Sequence, residues 1–397
     1  MTSRIKSLWP PGRIQRIQQM GRLHQIRKAG MSACLVVLMG GSSACIEIQS
    51  SPLDTSQGGI FGFLSLVIRG TEGNTLVAVG ANNLAYTSSD AQTWQQNAIV
   101  SGVNYTFHDV IWTGTRFIAV GGDASACAIF LSDDGFNWSP ATMPTCPVAL
   151  FAVAASTTDS QRIVTVGDVN GPTPMALTSA DGGLTWSVLV TAGVIRYTRL
   201  VFANNEFMAL DDPLNSSDGA AYTSDGTSTF ALVNTPVTGA GKGTTLGDAI
   251  AVGNRIIRAG TDPGTFPPAP MATTTTTDNG ASAWTVNATT IYGGSNSLIP
   301  RALAVSTAGR LVALGDSCAV DATSDLANLT WSGVQTTVTG CSGVNWMDLI
   351  YDGSRFLAVG NNGSNQGFAA LSATGDAASW TQSSIGSTLI YSLAIKP

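Results

Sequence analysis

Charge is scarce in this chain: only 11% of its 397 residues are Asp, Glu, Lys or Arg. No stretch carries the Glu/Lys/Ala/Leu periodicity of a long surface helix, which excludes a coiled coil. Histidine is nearly absent, with His24 and His108 alone, and no Cys-x-x-Cys occurs, so the ligand spacing of the usual His/Cys zinc site is missing. Glutamate is confined to Glu47, Glu72 and Glu206, which leaves little for a Glu-based acid/base pair. No apolar run reaches the length of a membrane-spanning helix. The basic residues that exist are unevenly placed. Seven of 19 precede residue 29, which leaves 12 against 25 acidic residues from Cys45 onward, a formal net of −13. Such a body repels a phosphate backbone, and nucleic acid is rejected as a partner.

What is abundant points to many short strands and turns. The chain holds 44 Gly and 16 Pro among frequent Ser, Thr, Asn and Val. Its first residues have the layout of an export signal: a basic region ending in "RKAG", an apolar run "MSACLVVLMGG", and small residues "SSAC". Residues 1–44 are read as this signal, with Met20 or Met31 as alternative starts, and 45–60 as a linker. "SSAC" resembles the lipobox of bacterial lipoproteins, with Ser42 where that family prefers Leu. The resemblance implies lipidation at Cys45 and a cell-envelope location, in the outer membrane or periplasm, or else secretion. No cofactor is expected, and a membrane enters only through that lipid.

A repeat governs the remainder. Runs of the form "FIAVG" recur at 76–80, 117–121, 163–167, 207–211, 256–260, 311–315 and 356–360. Each is followed by a turn-like stretch closing on an aromatic: Trp94, Trp138, Trp186, Phe230, Trp284, Trp331 and Trp380. The mean period is about 48 residues, the size of one four-stranded propeller blade. Before each run stands another apolar strand, from "FLSLVI" to "MDLIY", and an eighth copy, "LIYSLAI", ends the chain. The expected fold is therefore all-β: a seven-bladed β-propeller of four-stranded antiparallel blades over 61–397. The surplus strand would close it by exchange between the termini.

The turn "SADGGLTW" (179–186) resembles the Asp-box, or bacterial neuraminidase repeat (BNR), Ser/Thr-x-Asp-x-Gly-x-Thr-Trp. The resemblance extends through seven boxes of uneven quality, with Asp90, Asp134, Asp181, Asp225 and Asp278 at the acidic position. It implies a sialidase-like propeller scaffold in which Asp accepts backbone N–H bonds across the turn and Trp packs between blades. Seven symmetric copies speak against catalysis by these acids. Non-catalytic propellers of this kind include sortilin-type receptors and photosystem assembly factors.

Register then pairs the cysteines. Cys127 and Cys146 bracket the box of the second module, and Cys318 and Cys341 bracket the box of the sixth, so disulfides 127–146 and 318–341 are expected. Repetition also separates scaffold from site. Asp109, Asp248 and Asp348 recur at the head of one strand, and Arg116, Arg162, Arg255, Arg310 and Arg355 open the next; both sets read as architectural. The turns between the first and second strands of a module are short, whereas the connections from second to third strand and from fourth strand to the next module vary and should share one face, where recognition usually resides. Unrepeated side chains near that face are Tyr105, His108, Arg196, Tyr197, Asp211, Asp212, Arg301 and Trp346, with Tyr292 and Tyr391 beside them. These are the candidate binding residues; none is assigned to catalysis.

The favoured function is an exported envelope binding or scaffold protein, expected as a monomer, that recognises a protein or glycan through that face. The alternative is a sialidase-like or other glycoside hydrolase, with Asp211 or Asp212 as its carboxylates. Enzymatic activity is the lesser expectation, because the sialidase arginine clasp and its Arg-Ile-Pro signature are missing. A passive surface module is a third reading.

Overall fold

A computed structural model describes residues 74–397 apart from 171–172, 192–195, 212–220, 235–244, 263–268, 275–284, 287–289, 295–297 and 333–335, together with the backbone of three earlier strands. Two compact units are present, Met1–Glu72 and Gly73–Pro397. In the first, strands Ala33–Met39, Ser42–Ile48 and Val67–Arg69 form an antiparallel sheet. Cys45 lies on the second of these strands, and its side chain is outside the described residues, as are Asp212, Asp278 and Trp284.

The second unit is a β-propeller of four-stranded antiparallel blades. Six blades each use four consecutive strands, and their innermost strands are Thr106–Trp112, Leu150–Ala155, Tyr197–Ala203, Thr245–Val252, Pro300–Val305 and Val344–Tyr351. A further four-stranded sheet is composite. Its innermost strand is the C-terminal Ile390–Lys396, paired from Ile390↔Gly80 to Lys396↔Thr75 with Thr75–Gly80, which continues into Leu84–Ser88 and Gln95–Ala98. The expectation of seven equivalent modules is corrected accordingly: six are self-contained. The edge of Thr75–Gly80 is occupied by the C-terminal copy of the strand pattern, and Val67–Arg69, the described end of the "FLSLVI" stretch, pairs with Ser42–Ile48.

The second strand of each blade is the most apolar because both of its faces are covered. Phe117–Gly122 and its counterpart Thr75–Gly80 are buried almost throughout. Their periodicity is not the in/out alternation of a half-exposed strand, since neighbouring blades cover both sides. The core lies between blades rather than within one. Ile118, Ile129 and Leu131 pack on Leu150, Leu177 and Trp186 of the next blade. Val77, Val79 and Ala85 of the composite sheet pack on Phe107, Phe117 and Ala119, while its Leu76, Tyr86 and Leu393 meet Leu357, Val359 and Ala369 on the other side.

Turns at one end lock the outer strands. Ser132 Oγ accepts the Gly135 N–H (2.8 Å), and Asp134 Oδ1 accepts those of Phe136 and Asn137 (2.8 Å each). Asp181 repeats the pattern with Thr185 (2.9 Å), as do Asp90 with Gln92 and Thr93, and Asp225 with Thr227 and Ser228. The indole of Trp186 donates to the Gly183 carbonyl (2.8 Å) and is buried, as are Phe230, Trp331 and Trp380; Trp94 and Trp138 are half-buried. Gly183 has φ +90°, and a Cβ there would stand 2.5 Å from Ile118 Cδ1 of the preceding blade. A side chain would therefore meet both backbone strain and a clash.

Both expected disulfides are present, Cys127–Cys146 with Cα atoms 5.5 Å apart and Cys318–Cys341 at 5.9 Å. Each closes the loop around its turn, where the backbone already joins the ends: Cys127 N–H donates to the Cys146 carbonyl (2.9 Å), and Val338 N–H to that of Cys318 (2.9 Å).

Candidate functional site

All the innermost strands share one irregularity, and it builds the site. Each carries a β-bulge near its start: at Phe107/Asp109, Leu150/Ala152, Tyr197/Arg199, Leu246/Asp248, Pro300/Ala302, Trp346/Asp348 and Ile390/Ser392. A bulge adds one residue to a strand and re-aims its side chains. The residue before the bulge pairs with the position that ends the "AVG" run, which explains the recurring glycine. A Cβ on Gly121 would lie 2.0 Å from the Thr106 carbonyl oxygen, and one on Gly80 would lie 1.8 Å from that of Leu389. Asp211 takes the place of this glycine opposite Tyr197.

The extra residues are His108, Phe151, Thr198, Gly247, Arg301, Met347 and Tyr391. All of them but Gly247, together with most of the layer beneath, line a cavity of about 400 Å³ at the start of the innermost strands. One wall is aromatic. The His108 ring stands 4.9 Å from Phe151 and 5.4 Å from Tyr391, centroid to centroid, and the Arg196 guanidinium lies 5.9 Å over the Phe151 ring. Arg301 enters from another side and pairs with Asp316. Burial drives His108 down to about 4, with a smaller push from Arg199, so the imidazole is neutral at physiological pH.

Beneath lies the layer Asp109, Ala152, Arg199, Asp248, Ala302, Asp348 and Ser392. The three aspartates have one job in common. Asp109 accepts the N–H of Val110 (2.8 Å) and, across the blade boundary, that of Val153 (2.8 Å). Asp248 does the same with Ala249 and Leu303, both at 2.8 Å, and Asp348 with Leu349 and Leu393, both at 2.7 Å. Each staples one innermost strand to the next. The facing position is always small (Ala152, Ala302 or Ser392), which lets the carboxylate reach across. Arg199 Nε lies 3.4 Å from Asp248 Oδ1. Burial raises all three carboxyls, Asp109 to about 7 and Asp248 to about 6.

Of the residues singled out in sequence, His108, Arg301 and Tyr391 line the cavity and Arg196 borders it through Phe151. Tyr105 is half-buried against the apolar cluster of the composite sheet. Tyr197 and Trp346 require a correction. Both are fully buried, Tyr197 against Phe230 and Trp346 among Val320, Phe356 and Trp380. They occupy the position before the bulge, which points between blades and also holds Phe107, Leu150 and Ile390. Tyr292 is likewise buried, and its burial raises its phenol well above the ordinary range. The side chain of Asp211 lies outside the described residues. Phe151, Thr198, Arg199 and Met347 were missed. The column of residues beside the repeated aspartates carried their signal.

No protein-family model and no curated protein matches this chain. Solved structures do. YCF48 bound to a D1 peptide superposes with a TM-score of 0.55 at 18% identity, over 73% of this chain and 86% of that one. YCF48 from Cyanidioschyzon merolae gives 0.50 at 14% identity, over 73% and 89%. A chain of the mitotic checkpoint complex gives 0.50 at 11% identity, over 72% and 83%. At these identities the likeness is one of fold: the chain is similar to β-propellers.

Proposed function

We propose that this chain is an exported, non-catalytic binding propeller that docks a protein partner at the bulge-lined mouth of its channel. One observation carries the reading. The half-buried carboxylates at the floor of the site already accept backbone N–H groups, two each, so they serve the scaffold, whereas the layer above them is an aromatic and arginine set suited to contact. The YCF48 neighbour holds a D1 peptide, and the checkpoint neighbour belongs to a protein assembly; both support a protein rather than a glycan as the partner class. Counting the composite sheet as a blade gives a seven-bladed ring closed by strand exchange. The contacts of Ile390–Lys396 with both Thr106–Trp112 and Val344–Tyr351 support that count. The Ser-Asp-Trp hydrogen-bond pattern of the turns supports reading them as Asp boxes.

Two disulfides suit an oxidising compartment, in keeping with export and with a lipid on Cys45 that tethers a monomer to the envelope. The glycoside hydrolase alternative would need a free pair of carboxyls at the mouth. The test is capture from envelope extract on immobilised protein. Phe151→Ala and Arg196→Ala should each weaken retention of one partner about tenfold while leaving the circular dichroism unchanged. Leu184→Ala, at the opposite end, should not. Retention unaffected by either mouth substitution refutes the choice of face, and turnover of fluorogenic glycosides by the native chain refutes the non-catalytic reading. Membrane fractionation that survives Cys45→Ser removes the lipid.

A further inference from the structure

Hydrogen counting at the layer of staples leads to a titratable latch. Ser392 Oγ lies 2.8 Å from Asp109 Oδ1 and 2.9 Å from Asp348 Oδ2, and it accepts the Val110 N–H at 3.2 Å. A serine hydroxyl has one hydrogen to donate and two lone pairs with which to accept. It can satisfy one carboxylate only. The second oxygen at hydrogen-bond distance must then bring its own proton, or else two acceptors face each other at 2.8–2.9 Å around a buried hydroxyl.

We propose that Asp109 and Asp348 hold a single proton between them through Ser392, and that this proton latches the C-terminal strand Ile390–Lys396 between its two neighbours. In one arrangement Asp109 donates to Ser392 Oγ, which donates to Asp348; in the other the order is reversed. Either way three strands are joined, because Val110 N–H reaches the same hydroxyl and Leu393 N–H reaches Asp348. Ser392 stands where other blades carry Asp, Ala or Arg, so the latch exists at one place in the ring, at the composite sheet.

Neighbouring charges do not supply a substitute for the proton. Arg199 is engaged by Asp248 at 3.4 Å, and its pull on Asp109 and Asp348 is smaller than the effect of burial; Arg301 is engaged by Asp316. His108 is held neutral, and burial raises the Tyr391 phenol, which is neutral as well. Lys396 lies at the far end of its strand over the Trp112 ring. Strands Leu150–Ala155, Phe117–Gly122, Phe356–Asn362 and Thr75–Gly80 carry no ionisable side chain. Burial raises Asp109 to about 7 and also raises Asp348, the direction that retention of a proton requires. A carboxyl raised above its unfolded value stabilises the fold most fully below that value, and the contribution is lost as pH rises towards 7 and beyond. The two groups titrate as a pair.

Carboxyl-carbon NMR of the full chain labelled at aspartate tests this between pH 4 and 9. The expected result is one aspartate carboxyl that ionises near pH 7, above the Asp248 transition near 6, in the native chain and again in Asp248→Asn, where the lower transition is gone. Asp348→Asn, which frees the hydroxyl for Asp109, should move that ionisation at least one pH unit lower. The lack of any aspartate transition near pH 7, or a transition near 7 that disappears in Asp248→Asn, overturns the proposal. So does a titration unmoved in a folded Asp348→Asn. Should that variant fail to fold, the native chain and Asp248→Asn decide between these outcomes.

Discussion

Gly183→Ala offers a direct measure of how tightly the blades wedge together. Two costs are expected at this position. The backbone sits at φ +90°, where a Cβ costs about 1–2 kcal/mol. The new methyl would also meet Ile118 Cδ1 at 2.5 Å, with Leu131 Cδ2 at 3.6 Å, and overpacking of that kind costs about 1–3 kcal/mol. Gly353 supplies the control. Its φ is +95°, yet nothing lies within 4 Å of its would-be Cβ. Gly353→Ala should therefore lose about 1–2 kcal/mol, and Gly183→Ala about 2–5 kcal/mol, read from urea midpoints at constant slope. The excess should shrink when Ile118→Val removes the offending Cδ1, a coupling that a double-mutant cycle isolates. Equal losses in the two alanine variants, with no coupling to Ile118, would show that the turn does not press on the neighbouring blade.

Thiol titration of the denatured, unreduced chain should find Cys127, Cys146, Cys318 and Cys341 all blocked, and reduction should lower stability by about 3 kcal/mol per bridge. Four reactive thiols in protein recovered from an oxidising compartment would refute both pairings. At acid pH, the turn acids respond in the opposite sense to the stapling aspartates. Backbone N–H groups of Thr93 and Gln92 hold the Asp90 carboxyl down to about 2, against 3.8 when free. Its contribution is complete above the unfolded value and is lost as pH falls from about 4 through 2. Asp90→Asn should flatten that limb of the stability profile; an unchanged acid limb would contradict the hydrogen bonds.

The blade repeat and the site differed sharply in how far the sequence exposed them. "FIAVG" and its kin could be read because a strand covered on both faces must be apolar at every position. The turn "SADGGLTW" could be read because left-handed backbone, N–H acceptance and a packed indole each demand a particular residue type. The cysteine pairs followed from register alone. Repetition was also a sound guide to Asp109, Asp248 and Asp348, which do staple strands. It misled at Tyr197 and Trp346. These differ in identity from Phe107 and Leu150 at the equivalent position, yet all four share burial between blades. The column was uniform in apolarity while varying in size, and a filter built on identity mistook that variation for function.

By itself, the sequence determined the blade, its turns and both disulfides, because each rests on contacts within some fifty residues that local residue types must satisfy. Only the tertiary structure decided which side chains meet at the mouth. His108, Phe151 and Tyr391 come from three different sheets, and a one-residue bulge in each strand sets which of two neighbouring positions faces the cavity. It also decided that the last strand completes a sheet begun some 300 residues earlier, since that choice depends on which of two similar segments occupies an edge. A strand's two faces differ by a single residue of register, and that register is fixed by partners far away in the chain.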